Sequence, residues 1–124
     1  MKVILPTRET KVNEKGEVTN IDKEVEFELD MSLASQMRYE AKFPMLAEHE
    51  DLYDYLKRIE SSKEKGAAAI ISKFKAVYCW FDTDIEFVDF VKMFSSADTE
   101  YSKKLADRMD KIIKIIMDGS AEKN

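Results

Sequence analysis

The sequence predicts a mainly α-helical protein: a compact bundle of about five helices with a short N-terminal β-hairpin or strand segment. Three observations lead there. Apolar residues recur at helical spacing through most of residues 31–119. Turn formers are scarce, with three glycines and two prolines in 124 residues. Only the first 30 residues show the two-residue alternation of a strand. The chain is therefore divided into a strand or hairpin segment over 1–30, a helical domain over 31–119 and a disordered tail over 120–124.

In the first segment Lys2–Leu5 reads as a short strand. Asn13-Glu14-Lys15-Gly16 is a turn signal between Lys11-Val12 and Glu17-Val18, which allows a weak hairpin. Val25, Phe27 and Leu29 alternate with Glu24, Glu26 and Glu28, the pattern of a strand with one buried face. Two or three short strands cannot stand alone in water, so this segment must lean on the helices or stay mobile.

Helical periodicity starts after Asp30. Ser32 is the expected N-cap of a first helix with Leu33, Met37 and Ala41 on one face, ended by Phe43-Pro44. A second helix is expected over Ala47–Glu60, buried through Leu52, Tyr55, Leu56 and Ile59. Ser61 and Glu64 have capping-box spacing for a third helix, with Gly66 early in it. Its seam is Ile70, Phe74, Val77, Tyr78 and Phe81, widened by Ile71 and Trp80. Thr83 and Glu86 repeat the capping-box spacing before a short aromatic helix with Phe87, Phe90, Val91 and Phe94. Ser95-Ser96-Ala97-Asp98 restarts the chain into a last helix reaching about Met117. Its periodic apolar residues are Tyr101, Leu105, Met109, Ile112, Ile113 and Ile116, and Gly119 is its expected C′ residue.

Composition narrows the function classes. The chain is 44% apolar and 36% charged, too apolar for a disordered protein. No apolar run approaches the roughly 20 residues that span a bilayer, and Pro6 and charged residues follow Val3-Ile4-Leu5 at once, so no membrane span and no secretory segment is expected. The net charge of −5 argues against nucleic acid as a partner. The acidic excess lies wholly in residues 1–61, where fourteen Asp and Glu face nine Lys and Arg. The stripe Lys104, Arg108, Lys111 reads as the solvated face of an amphipathic helix, with contact to an acidic partner as the alternative.

Catalytic means are few, and no enzyme is expected. His49 sits among Glu48, Glu50 and Asp51 on a polar stretch, and Cys79 lies between Tyr78 and Trp80 inside an apolar helix, where it reads as core. The three glycines stand apart at 16, 66 and 119, which leaves no phosphate loop. Asp82-x-Asp84-x-Glu86 imitates a calcium loop, but Phe87 and Met93 occupy the positions that need Gly and Glu. No cofactor and no metal is expected. Between Phe74 and Phe94 stand seven aromatic residues, and Ile112, Ile113, Ile115 and Ile116 widen the last helix's apolar arc. These residues serve either the core alone or, in part, contact with another chain.

Several segments, taken in order, resemble the tail assembly chaperone family of long-tailed siphophages that infect Gram-positive bacteria. They are Arg38-Tyr39-Glu40-Ala41-Lys42-Phe43-Pro44, Leu52-Tyr53-Asp54-Tyr55, Ser72 to Thr83 (Ser-Lys-Phe-Lys-Ala-Val-Tyr-Cys-Trp-Phe-Asp-Thr), Phe87-Val88-Asp89-Phe90-Val91-Lys92-Met93-Phe94 and Ser120-Ala121-Glu122-Lys123-Asn124. Tyr39 stands where the family pattern has tryptophan, which keeps a large aromatic there. The resemblance runs from about residue 24 onward. It implies a protein of the host cytoplasm, absent from the mature virion, that binds the tape measure protein and keeps it soluble. A frameshift-extended product would recruit the tail tube protein. Glu122-Lys123-Asn124 can be encoded GAA-AAA-AAY, which contains a slippery heptanucleotide of the kind near which the chaperone gene ends in this family. With this resemblance in view, the candidate partner-binding residues are Tyr39, Phe43, Trp80, Phe87, Phe90, Phe94, Ile112, Ile115 and Ile116. The alternative is a small helical adaptor or regulatory protein acting through homo-oligomerisation.

Overall fold

The computed structural model describes residues 1–94 and 99–123, with side chains through Gly119. Two strands, β1 (Lys2–Val12) and β2 (Val18–Glu28), precede six helices among the described residues. These are α1 (Leu33–Lys42), α2 (Pro44–Ala47), α3 (Leu52–Ser61), α4 (Ala67–Tyr78), α5 (Phe87–Met93) and α6 (Thr99–Lys123). A mainly α fold with an N-terminal hairpin is what the sequence predicts.

The hairpin is longer than expected. Instead of two or three short strands, two strands of 11 residues pair antiparallel from Lys2↔Glu28 to Val12↔Val18. The expected turn forms. Asn13 Oδ1 accepts the backbone N–H groups of Lys15 and Glu17, both at 2.9 Å, and Gly16 takes a φ of 80°, which a glycine adopts without steric cost. Pairing continues through a stretch with no apolar face because cross-strand polar pairs hold it. Arg8 Nε donates to Asp22 at 2.7 Å and Thr10 Oγ1 to Asn20 at 2.9 Å. An alternation test cannot see such a stretch.

Only the base of the hairpin is buried, through Val3, Leu5, Phe27 and Leu29. There the chain just after α4 lies alongside β2. Asp30 N–H donates to the Trp80 carbonyl at 2.8 Å and Asp82 N–H to the Glu28 carbonyl at 2.9 Å, on either side of a Leu29–Phe81 bridge. The Phe27 and Phe81 rings stack with centroids 4.7 Å apart and planes 6° from parallel. Phe90, from α5, completes the cluster. Its centroid lies 5.6 Å from that of Phe27, 5.7 Å from Phe74, 5.2 Å from Tyr78, 5.9 Å from Phe81 and 5.0 Å from Phe94. Five rings from the hairpin, α4 and its end, and α5 thus converge on one fully buried side chain.

The predicted seams of α3, α4 and α6 largely hold. Leu52, Tyr55, Leu56 and Ile59 are buried, as are Phe74, Val77, Tyr78 and Phe81, and all six expected residues of α6. Ile70 packs against the core partly buried, and Ile71, expected to widen the seam, is exposed.

Several boundaries differ from expectation, each for a local reason. The second helix does not run from Ala47. Pro44–Ala47 is a turn of its own, and α3 begins at Leu52 because Asp51 caps it, accepting Asp54 N–H at 2.8 Å. Ser61 forms no capping box; its hydroxyl donates back to the Lys57 carbonyl at 2.8 Å, so it belongs to α3. Helix α4 starts only at Ala67, after Gly66 turns the chain with a φ of 82°. Thr83 and Glu86 also make no box: Thr83 Oγ1 accepts Ile85 N–H at 3.3 Å, and Glu86 meets Lys42 at 2.8 Å. Gly119 does not end α6, whose backbone continues through the expected tail to Lys123. A Cβ at Gly119 would stand 3.3 Å from Met31 Cε, so glycine serves close packing here, and neither proline nor a turn pair follows to stop the helix. The restart expected at Ser95–Asp98 lies outside the described residues, as does Asn124.

Replacing Phe90 removes the centre of the ring cluster and leaves a cavity. Phe90→Ala is expected to lower unfolding free energy by about 3–5 kcal/mol, read from urea denaturation. A loss below about 1 kcal/mol would mean that the cluster closes up without it.

Candidate interaction surface

The first helix is mounted with its polar residues inward. Asp30 is the anchor. Its carboxylate accepts the Ser32 backbone N–H at 2.9 Å and the Ser32 hydroxyl, and pairs with Arg38 at 3.0 Å. Arg38 Nε in turn donates to the Cys79 carbonyl at 3.0 Å, which ties α1 to the end of α4. One turn along, Gln36 Oε1 accepts Leu52 N–H at 2.8 Å, at the start of α3. Tyr39, fully buried, donates its hydroxyl to the Glu50 carbonyl at 3.1 Å. Ser35 is buried as well, its hydroxyl donating to the Ser32 carbonyl at 2.8 Å.

With Ser35, Gln36, Arg38 and Tyr39 facing the protein, the opposite face must carry what remains. Leu33 is 83% exposed and Met37 68%, one turn apart, and Ala41 continues the same row in the open. Met45, in the next helical turn, is 78% exposed. The sequence puts Leu33, Met37 and Ala41 on one face of the helix, and the structure turns that face outward. The reason is the hydrogen-bonding network, whose charged and amide groups would be left without partners if the helix rotated. Leu33 also stands at the rim of a largely apolar cleft shared with Met31, Leu52, Tyr53 and Trp80. The Trp80 indole N–H is buried without a hydrogen-bond partner among the described residues.

The nine candidate partner-binding residues fare differently from one another. Tyr39, Trp80, Phe90, Phe94, Ile112 and Ile116 are buried and are accounted for by the core. Phe43 and Phe87 are partly buried and meet edge to face at 5.1 Å. Ile115 alone of the nine is counted as exposed, at 38%. The nine are not brought together into one surface. The exposed residues that do form a row, Leu33 and Met37, were missed because a spacing of four on a helix reads as a buried stripe. The one available sequence signal was the row Ser35, Gln36, Arg38 and Tyr39, which offers a competing inner face.

Burial shifts several titratable groups of the core. Burial pushes the Cys79 thiol up to about 12, so it stays protonated at neutral pH and is a poor nucleophile. Burial likewise raises Tyr39, Tyr55 and Tyr101 to about 12, which keeps their hydroxyls as donors. His49 lies exposed. Among the described residues no cluster of His, Cys, Asp or Glu could hold a metal ion, and no helix is long and apolar enough to cross a membrane.

Two measurements check this site. The Ser32 hydroxyl, then its backbone N–H, with Arg38 adding, hold the Asp30 carboxyl below the usual carboxylate range against a desolvation cost. A lowered folded value means stability that is present above the ordinary aspartate value of about 3.9 and is lost as pH falls through the folded one. Asp30→Asn is therefore expected to cost about 1–3 kcal/mol at neutral pH, with the gap to wild type closing below about pH 4, in urea unfolding at stepped pH. For Cys79, a thiol reagent should label it in urea and leave the native protein unlabelled at about pH 8. Comparison with protein-family models, curated proteins and solved structures finds no match to this chain.

Proposed function

We propose that this chain is a carrier that shields an apolar helical client, and specifically a phage tail assembly chaperone for the tape measure protein. The observation that carries the reading is the α1 face, where Leu33 and Met37 stand open one turn apart while polar side chains face inward. Rows of this kind dock an amphipathic helix through apolar anchors, and methionine adapts to clients of varied shape. The net charge of −5 suits a carrier, because it opposes precipitation of a complex with an aggregation-prone client. Release needs no ATP or covalent chemistry, only a competitor for the client. The segments resembling the family supply the finer assignment: action in the host cytoplasm, absence from the virion, and a frameshift-extended form that recruits tail tube subunits.

Co-expression tests it. Wild-type chain is expected to hold the tape measure protein in the supernatant, and Leu33→Glu with Met37→Glu to lose it. Unfolding free energy should change by no more than about 0.5 kcal/mol per site, since both side chains are exposed. A client that stays in the pellet with wild type, or in the supernatant with the double variant, overturns the reading. If sedimentation velocity shows a wild-type dimer that the same variant breaks, the face joins two copies, and the homo-oligomeric adaptor replaces the carrier.

A further inference from the structure

A second surface involves other elements and does not depend on the client reading. Helix α6 lies beside β1, and Tyr101 anchors the contact by donating its hydroxyl to the Pro6 carbonyl at 2.8 Å. Beyond that anchor the hairpin and helix part to leave an open cleft of about 640 Å³. Its helical wall is Lys104, Arg108 and Lys111, the stripe whose spacing alone gives a solvated face. The facing wall carries Arg8, already bound to Asp22 at 2.7 Å.

Charge sets this cleft apart from the rest of the molecule. Five cations and three carboxylates line it, in a chain whose net charge is −5. Asp22 is committed to Arg8, and Glu24 and Asp107 are the remaining carboxylates. Lys104, Arg108 and Lys111 form no ion pair within 4.0 Å among the described residues. Lys73, on α4, reaches across to Asp110 of α6 at 2.9 Å, outside this cleft. The three cations recur about every 5 Å along one helix face, and Lys104 adds its charge to the Arg8 hydrogen bond that holds the Asp22 carboxyl below the usual carboxylate range. Tyr101 and Pro6 give the cleft an apolar part.

We propose that the cleft between the hairpin and α6 binds an acidic segment of a partner protein, whose carboxylates reach Lys104, Arg108 and Lys111. Arg108 can take a carboxylate with two parallel N–H bonds, and the two lysines act as point charges on either side. A polyphosphate chain fits less well. Three carboxylates share the lining, and the net negative charge of the whole chain opposes a long anion that must run past the cleft. A peptide can place its carboxylates opposite the cations and neutral residues opposite Glu24 and Asp107.

The test is fluorescence anisotropy with a labelled peptide of alternating glutamate and alanine, its lysine-for-glutamate counterpart and a single-stranded thymidine oligonucleotide, all at low salt. The glutamate peptide is expected to bind, with affinity falling at least tenfold when salt is raised towards 1 M, where screening acts over about 3 Å. The Lys104→Glu, Arg108→Glu, Lys111→Glu triple variant should lose at least tenfold in affinity and gain binding of the lysine peptide. Lys104→Gln with Lys111→Gln, a milder change, should lose affinity with its circular dichroism unaltered. Absent binding of the glutamate peptide, equal binding of the lysine peptide, undiminished binding by both variants, or tighter binding of the oligonucleotide would each overturn the proposal.

Discussion

The stacking of Phe27 on Phe81 is the contact that the architecture depends on most. A two-stranded ribbon has no core of its own, and most of this hairpin stands in water. What fixes it is the burial of its base against the segment that ends α4, where ladder bonds on both sides of Leu29 set the height at which the ring lands. Once Phe27 is seated, Phe90 has a surface to close against, and α5 is drawn under the sheet. Phe74 and Tyr78 complete the ring of contacts by packing α4 on α5, while Phe81, just past α4, carries the contact with the hairpin. Each aromatic pair adds about 0.5–1.5 kcal/mol beyond simple burial, and several meet on one residue.

The same junction explains the unusual setting of α1. The chain leaving β2 reaches Asp30 directly after the bridge, and Asp30 both organises the helix start and captures Arg38. Because Arg38 also holds a carbonyl at the end of α4, the rotation of α1 is set by polar bonds to an element already fixed by the aromatic cluster. Leu33 and Met37 are exposed as a consequence of that setting. Apolar side chains left out of the core cost little in a monomer but become contact area when another chain covers them.

How much of this was legible in the sequence varies by element. The seams of α3, α4 and α6 were readable because their inner faces are wholly apolar, so period and burial coincide. The hairpin turn was readable from Asn13 and Gly16, but its length was not, since Arg8–Asp22 and Thr10–Asn20 hold the strands without any apolar signal. Helix starts were misplaced wherever a hydroxyl at capping spacing bonded backward or to a nearer amide, as at Ser61 and Thr83. The candidate surface was hidden for a related reason. Periodicity records which residues share a face, and whether that face points inward depends here on an arginine and a carbonyl 41 positions apart. The aromatic residues that looked too many for a small core are, for the most part, that core.

The Tyr101–Pro6 hydrogen bond has a consequence in time. Its partners are 95 residues apart, so β1 waits for most of the chain before α6 can cover it. At ordinary synthesis rates that interval is on the order of 5–20 s. Throughout it Val3, Leu5 and an open strand edge are exposed to other nascent chains. The charges that crowd the hairpin beyond Pro6, together with the proline itself, which cannot donate to a foreign strand, are the features that keep such an edge from pairing before its own helix arrives.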